Sequence, residues 1–101
     1  MDIRAMQSNA CAAAGFLKIL ANDRRLMILC ELLKGERSVG ELEKIVGLSQ
    51  SALSQHLARL RQSHLVKTRR ESQTIYYCIA DPGVTKVIGA LYDLYCGPQG
   101  R

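Results

Sequence analysis

Tryptophan is absent, phenylalanine occurs once, and aromatic residues make up only 5% of a chain that is 48% hydrophobic. An interior built almost wholly from aliphatic side chains fits a helix-rich domain better than a β-sandwich, whose strands favour aromatic residues. No apolar run reaches the roughly 18 residues that a membrane-spanning helix needs. The start, Met1-Asp2-Ile3-Arg4, lacks the basic segment and apolar stretch of a secretory leader, so a cytoplasmic location is expected. There is no Gly-rich phosphate loop, no pair of carboxylates in a pocket-forming context and no nucleophile–base pair. No catalytic residue and no cofactor is therefore expected. Repeats, low-complexity tracts and linkers are also missing, and 101 residues suit a single domain. A core of that size is modest, and pairing with a second copy is a natural way to bury more apolar surface.

Charge is plentiful. Fourteen Lys and Arg face nine Asp and Glu, a net charge of +5. Such a balance permits nucleic-acid binding without demanding it, and the placement of the cations decides its meaning. Four cysteines, Cys11, Cys30, Cys78 and Cys96, are present. In a reducing compartment they are free, metal-bound or redox-active rather than a disulfide framework.

Ala13, Phe16, Leu17 and Leu20 recur at i, i+3, i+4, i+7, which predicts a helix over about 8–20. Asn22-Asp23 reads as a break and cap opening a second helix to Lys34, halted at Gly35 and apolar nearly all round from Leu26 to Leu33. Ser38-Val39-Gly40-Glu41 matches a capping box, starting a short helix with Val39, Leu42, Ile45 and Val46 inward. After a tight turn at Gly47-Leu48, Ser49 caps a helix from Gln50 to about Ser63. Two short helices joined by a few residues that include Gly form a helix-turn-helix. The period then becomes two. Leu65–Arg69 and Thr74–Ile79 predict a hairpin with the tip Arg70-Glu71-Ser72-Gln73, a loop somewhat longer than two residues. Asp81-Pro82 opens a last helix over about 82–95 with Val84, Val87, Ile88, Leu91, Leu94 and Tyr95 on one stripe, and Gly97-Pro98 ends it. The expected fold is mainly α with a small β-hairpin, a winged helix-turn-helix in the order ααααββα.

The Gln50–Ser63 helix buries Leu53, Leu57 and Leu60, leaving Gln50, Ser51, Ser54, Gln55 and Arg59 outward. Gln pairs bidentately with adenine and Arg with guanine, and Ser serves several base edges. Between Ser49 and Gln73 there are five cations (Arg59, Arg61, Lys67, Arg69, Arg70) and one anion (Glu71), a net +4 from the chain's +5. Neutralising phosphates is the physical use of such a patch. The candidate DNA-contacting set is Ser49, Gln50, Ser51, Ser54, Gln55, His56, Arg59, Lys67, Arg69, Arg70 and Gln73.

Ala21-Asn22-Asp23-Arg24-Arg25-Leu26, the run Leu48–Leu57 with its Ser-x-x-Leu-Ser-x-His-Leu pattern, and Tyr76-Tyr77 carry a resemblance to the ArsR/SmtB family of bacterial winged-helix repressors. The resemblance extends from about Ala12 to Cys96. It implies a homodimer formed through the first and last helices (about 8–20 and 82–95). The helix-turn-helix (about 38–63) and wing (about 65–80) would bind an imperfect palindrome in double-stranded DNA, and an inducer would release it. Metal-sensing members carry a Cys-x-Cys pair in the third helix, or Asp, His and Glu ligands in the last. Residues 38–46 hold no Cys or His, and residues 82–95 hold one Asp and no His. No metal site is expected.

Ile28-Leu29-Cys30 and Leu94-Tyr95-Cys96 resemble instead a subgroup of persulfide- and redox-sensing members. That likeness implies that Cys30 and Cys96 respond to a persulfide, polysulfide or oxidant by bridging, and that the bridged form lets go of DNA. By pattern alone Cys30 is equally a small buried apolar residue on the stripe Leu26, Leu29, Cys30, Leu33. Cys11 falls off the first helix's stripe, and Cys78 alternates with Ile75, Tyr77 and Ile79, facing outward or toward a neighbouring element. The alternative is a metal-responsive or constitutive repressor of the same family whose cysteines are structural.

Overall fold

A computed structural model describes residues 1–98. Eight elements follow in order: α1 (Ile3–Leu20), α2 (Asp23–Leu33), β1 (Arg37–Ser38), α3 (Val39–Val46), α4 (Gln50–Gln62), β2 (Val66–Glu71), β3 (Thr74–Ile79) and α5 (Pro82–Cys96). The expected winged helix-turn-helix is present, with a two-residue strand added between α2 and α3. The three strands form an antiparallel sheet in the order β1-β3-β2.

Caps set most boundaries. Asn22 Oδ1 accepts from the Arg25 amide at 3.1 Å and starts α2. At α3 the Glu41 amide donates to Ser38 Oγ (3.2 Å) while the Ser38 amide donates to Glu41 Oε1 (2.9 Å), so two otherwise orphaned donors are satisfied reciprocally. Gly47 closes α3 with φ 72°, a left-handed conformation that Gly adopts without steric cost. Ser49 Oγ accepts from the Ala52 amide at 3.2 Å and opens α4. The other end of α4 is a Schellman turn. The Leu65 amide donates to the Leu60 carbonyl and the His64 amide to the Arg61 carbonyl, with His64 itself at φ 62°. Pro82 occupies the first turn of α5, where the Gly83 amide donates to Asp81 Oδ1 at 2.8 Å.

The core is aliphatic, as the composition implies. Ile28, Leu29, Leu32, Leu42, Leu53, Leu57, Leu60, Val84 and Ile88 are each at most 2% exposed. α2 is the hub, packing against α5, α3 and β3. Arg24 Nη1 on α2 donates to the Val46 carbonyl at 3.2 Å, tying α2 to the end of α3.

Several details depart from the pattern-based expectations. α1 begins at Ile3 rather than near residue 8, because Asp2 caps it by accepting from the Arg4 amide. Of the predicted α1 stripe Leu20 is buried and Phe16 half-buried; Ala13 and Leu17 are exposed, as are all of residues 1–14, so the single chain's core covers only the C-terminal end of α1. Ile45, expected inward, is 47% exposed on the outer side of α3. The hairpin loop is the two residues Ser72 and Gln73, since Glu71 pairs with Thr74; Arg70 and Glu71 belong to β2 and not to the tip. Ser72 takes φ 57°, which makes so tight a turn possible.

Candidate nucleic-acid interface and thiol pocket

Because α4 buries Leu53, Leu57 and Leu60, its opposite side is fixed by helical geometry. Ser51, Gln55, Arg59 and Gln62 are exposed there, flanked by exposed Gln50 and Ser54. His56 is half-buried on the other shoulder. Ser49, at the N-terminus, has its hydroxyl engaged in capping and lies 3.4 Å from Ser51 Oγ. Between α3, α4 and the wing runs an open groove of about 1030 Å³. Gln50, Ser54 and Gln73, expected from sequence, line it together with Arg61, Gln62, Thr74, Ile75 and Tyr77. Arg61 is one of the cations of the basic patch but stands outside the candidate contacts read from sequence. Its position at i+7 from Ser54 and i+11 from Gln50 is the signal that could have found it.

The wing divides its cations between two faces. Alternation along β2 places Lys67, Arg69 and Glu71 on one side, with cross-strand partners Cys78, Tyr76 and Thr74. Arg70 is on the other side, opposite Ile75, which lines the groove. Arg69 is already committed within the protein. Its Nε and Nη2 donate to Glu36 Oε2 and Oε1 at 2.8 and 2.7 Å, and its Nη1 donates to Glu71 Oε2 at 2.8 Å. The guanidinium also lies 4.6 Å from the centroid of the Tyr76 ring. Hydrogen bonds from Arg69 hold the Glu36 carboxyl below the usual carboxylate range. Glu36 precedes β1 and lies 33 residues from Arg69 in the chain, outside the stretch that carries the wing's own charge. Glu31, between Lys34 Nζ at 3.2 Å and Arg37 Nε at 3.3 Å, has its carboxyl lowered by hydrogen bonds first from Lys34, then from Arg37.

Cys30 and Cys96 come together. They line one small apolar pocket of about 230 Å³ between α2 and α5, walled by Leu26, Ile88, Leu91, Tyr92 and Tyr95. Cys30 is half-buried and Cys96 exposed as the last residue of α5, and both thiols are free. Burial pushes the Cys30 thiol up first, the nearby Cys96 adds to this, and Lys34 opposes it. Cys11 is exposed on α1, and Cys78 is half-buried beside Lys67 on the outer wing face. Among the described residues no group of three or more His, Cys, Asp or Glu side chains is placed to hold a metal ion. No helix among them is long and apolar enough to cross a membrane.

A helix-turn-helix whose second helix presents a polar, exposed row beside a strand-built wing defines a winged helix-turn-helix regulator. The family model for bacterial regulatory proteins of the arsR family matches residues 22–68, from the start of α2 into β2. The transcriptional activator HlyU of Vibrio cholerae is 51% identical over 96 residues, which cover 95% of this chain and 89% of that protein. Its reduced structure superposes with a TM-score of 0.86 at 52% identity, covering 92% of this chain and 98% of that one. The transcriptional repressor BigR of Xylella fastidiosa gives a TM-score of 0.91 at 41% identity, with 95% and 98% covered. A homodimeric winged helix-turn-helix DNA-binding domain from Mycobacterium bovis gives 0.69 at 36% identity, with 89% and 82% covered. This chain belongs to the ArsR family of bacterial regulatory proteins. It is a DNA-binding transcriptional regulator and not an enzyme.

Proposed function

We propose that the protein is a homodimeric repressor that binds an imperfect palindrome and releases it when Cys30 and Cys96 are bridged by reactive sulfur or an oxidant. The observation that carries the sensing half is the shared apolar pocket, which joins two thiols from distant parts of the chain. Supporting the dimer are the exposed apolar side chains of α1 and α5, among them Ile3, Met6, Leu17, Tyr92, Leu94 and Tyr95. A monomer gains nothing by showing water a surface of that kind. The homodimeric relative supports the same arrangement.

On DNA, Ser51, Gln55 and Arg59 face base edges, and Gln50, Ser54, Gln73 and Arg61 flank the entry between α4 and the wing. Ser49, at the helix N-terminus, and His56 border the backbone, while Lys67 and Arg70 meet phosphates. The two α4 helices of a dimer read half-sites about one helical turn apart, roughly 34–36 Å.

The chemistry balances with a low-molecular-weight persulfide as donor. The exposed Cys96, as thiolate, attacks the donor's terminal sulfur, forming a persulfide on Cys96 and releasing the donor's thiol. Cys30 then attacks the sulfur attached to Cys96, closing the Cys30–Cys96 disulfide and expelling hydrogen sulfide. Two thiols are oxidised and the donor's sulfane sulfur is reduced. The bridge draws the end of α5 against α2.

The test is binding to the DNA upstream of the protein's own coding sequence, reduced against polysulfide-treated, with intact masses of both samples. Release together with a Cys30–Cys96 crosslink, and loss of that response in Cys30→Ser and Cys96→Ser, is the expected result. Unchanged binding by a fully modified sample refutes the sensor and leaves a constitutive or differently induced repressor.

A further inference from the structure

We propose that Glu36 masks Arg69 from DNA, so that the wing presents cationic charge to phosphates without this arginine. The inference rests on the DNA-binding reading above and concerns which wing cations take part. Three features carry it. First, the Glu36 carboxylate fills the planar fork of Arg69 with two hydrogen bonds of 2.7 and 2.8 Å, the geometry in which a guanidinium also holds a phosphate. A phosphate reaching Arg69 must displace an anion that already fits. Second, Glu71 occupies Nη1 at 2.8 Å, so the cluster of one arginine and two carboxylates is net negative. Lys67 on the same face only brings that side of the wing to neutrality. Third, Glu36 is not a wing residue. It reaches Arg69 because β1 adds to the sheet, with Arg37 opposite Tyr77 and Ser38 opposite Tyr76. The short strand thus delivers a counter-ion to a wing whose sequence contains only one acid.

The masking bears on specificity. Phosphate contacts raise affinity for every DNA sequence alike, whereas base contacts discriminate. With Arg69 masked, the wing's backbone attraction rests on Lys67 and, on the groove side, on Arg70.

The experiment measures log K against log salt concentration for the full chain on its upstream duplex and on an unrelated duplex of equal length. Glu36→Gln frees Arg69 and steepens the slope by about 0.9 per wing, equal to about threefold more affinity lost per wing between 50 and 200 mM salt. The gain at low salt appears on both duplexes. Arg69→Gln alone leaves the slope unchanged, and the double variant returns it to the original value. Glu71→Gln adds the same net charge but keeps the Glu36 fork, and it steepens the slope less than Glu36→Gln. Glu36→Ala repeats the main result if Glu36→Gln is poorly folded by its melting curve. A shallower slope for Arg69→Gln alone, or no change for either Glu36 variant, overturns the masking. Absence of DNA binding by the unsubstituted protein overturns the DNA-binding reading itself, a different and recognisable failure.

Discussion

Bridging Cys30 to Cys96 should stabilise the free protein, but by less than a strain-free crosslink between those positions would. The crosslink closes a loop of roughly 70 residues, for which the loss of unfolded-state entropy amounts to about 4 kcal/mol. That figure applies if α2 and α5 keep the relative placement they have in the reduced fold. Release of DNA requires the opposite, namely that the bridge hold the last helix where the reading helices lose register. Allosteric coupling of that kind is typically about 1–3 kcal/mol. Subtracting this strain leaves a net stabilisation of about 1–3 kcal/mol. For a domain of this length it raises Tm by roughly 4–24 °C. The assay is thermal unfolding of the reduced and bridged forms at one protein concentration without DNA, since dimer melting depends on concentration. Cys11→Ser and Cys78→Ser prevent competing crosslinks. A gain of the full amount, about 4 kcal/mol, would refute the reasoning, because a strain-free bridge has nothing to act with.

Three further outcomes follow from the geometry. Arg61→Gln should weaken binding to all DNA sequences and flatten the salt slope by about 0.9 per protomer, read by titration at several salt concentrations, because Arg61 borders the groove where phosphates would pass. His64→Gly should raise stability by about 1 kcal/mol in chemical denaturation, because a Cβ at φ 62° is strained where Gly is not. Glu31→Gln should lower stability near neutral pH by about 1 kcal/mol or less. The Glu31 carboxyl is lowered in the fold by Lys34 and Arg37, so its contribution is present above the ordinary carboxylate pKa of about 4.3 and is lost as pH falls through the folded value. The two proteins' stabilities should therefore converge in acid, and a difference that persists there rejects the ion-pair explanation.

The helices were legible because their apolar periods and caps agree. Asn22, Ser38, Ser49 and Asp81 each accept from a backbone amide at the start of the helix their sequence position suggested. What the sequence hid was long-range. β1 is two residues long and exists only because β3 offers it an edge, so no local period reveals it. Glu36 is an ordinary loop acid until that pairing brings it to Arg69. The same limit explains Ile45 and Leu17, whose helical spacing marks them as inward although the single chain leaves both exposed. A period identifies an apolar stripe but does not say whether the chain's own core or another surface covers it. The thiol pair stood between these cases. Spacing left Cys30 either packing or reactive, and only the meeting of α2 with the end of α5 puts Cys96 in the same pocket.

Under the proposed sensing reading, that meeting also gives the pocket a route to the distant DNA-binding surface. Leu26 and Cys30 of α2 line the pocket. One turn before Cys30 in the same helix is Met27, and before that Arg24, whose guanidinium holds the end of α3 through the Val46 carbonyl. One residue after Cys30 is Glu31, bonded to Arg37 of β1, the strand that pairs with the wing. On that reading, a rotation of α2 on closing the pocket would pull on the first helix of the helix-turn-helix and on the wing at once, through two separate polar ties. Removing one tie should leave the other. Arg24→Met, which keeps the stem but loses the bond to Val46, should reduce the ratio of reduced to bridged DNA affinity without abolishing it, and adding Arg37→Met should reduce it further. The quantity to measure is that ratio in both variants. If neither substitution changes it, α2 does not transmit the signal and the coupling passes through the proposed dimer contacts of α1 and α5 instead.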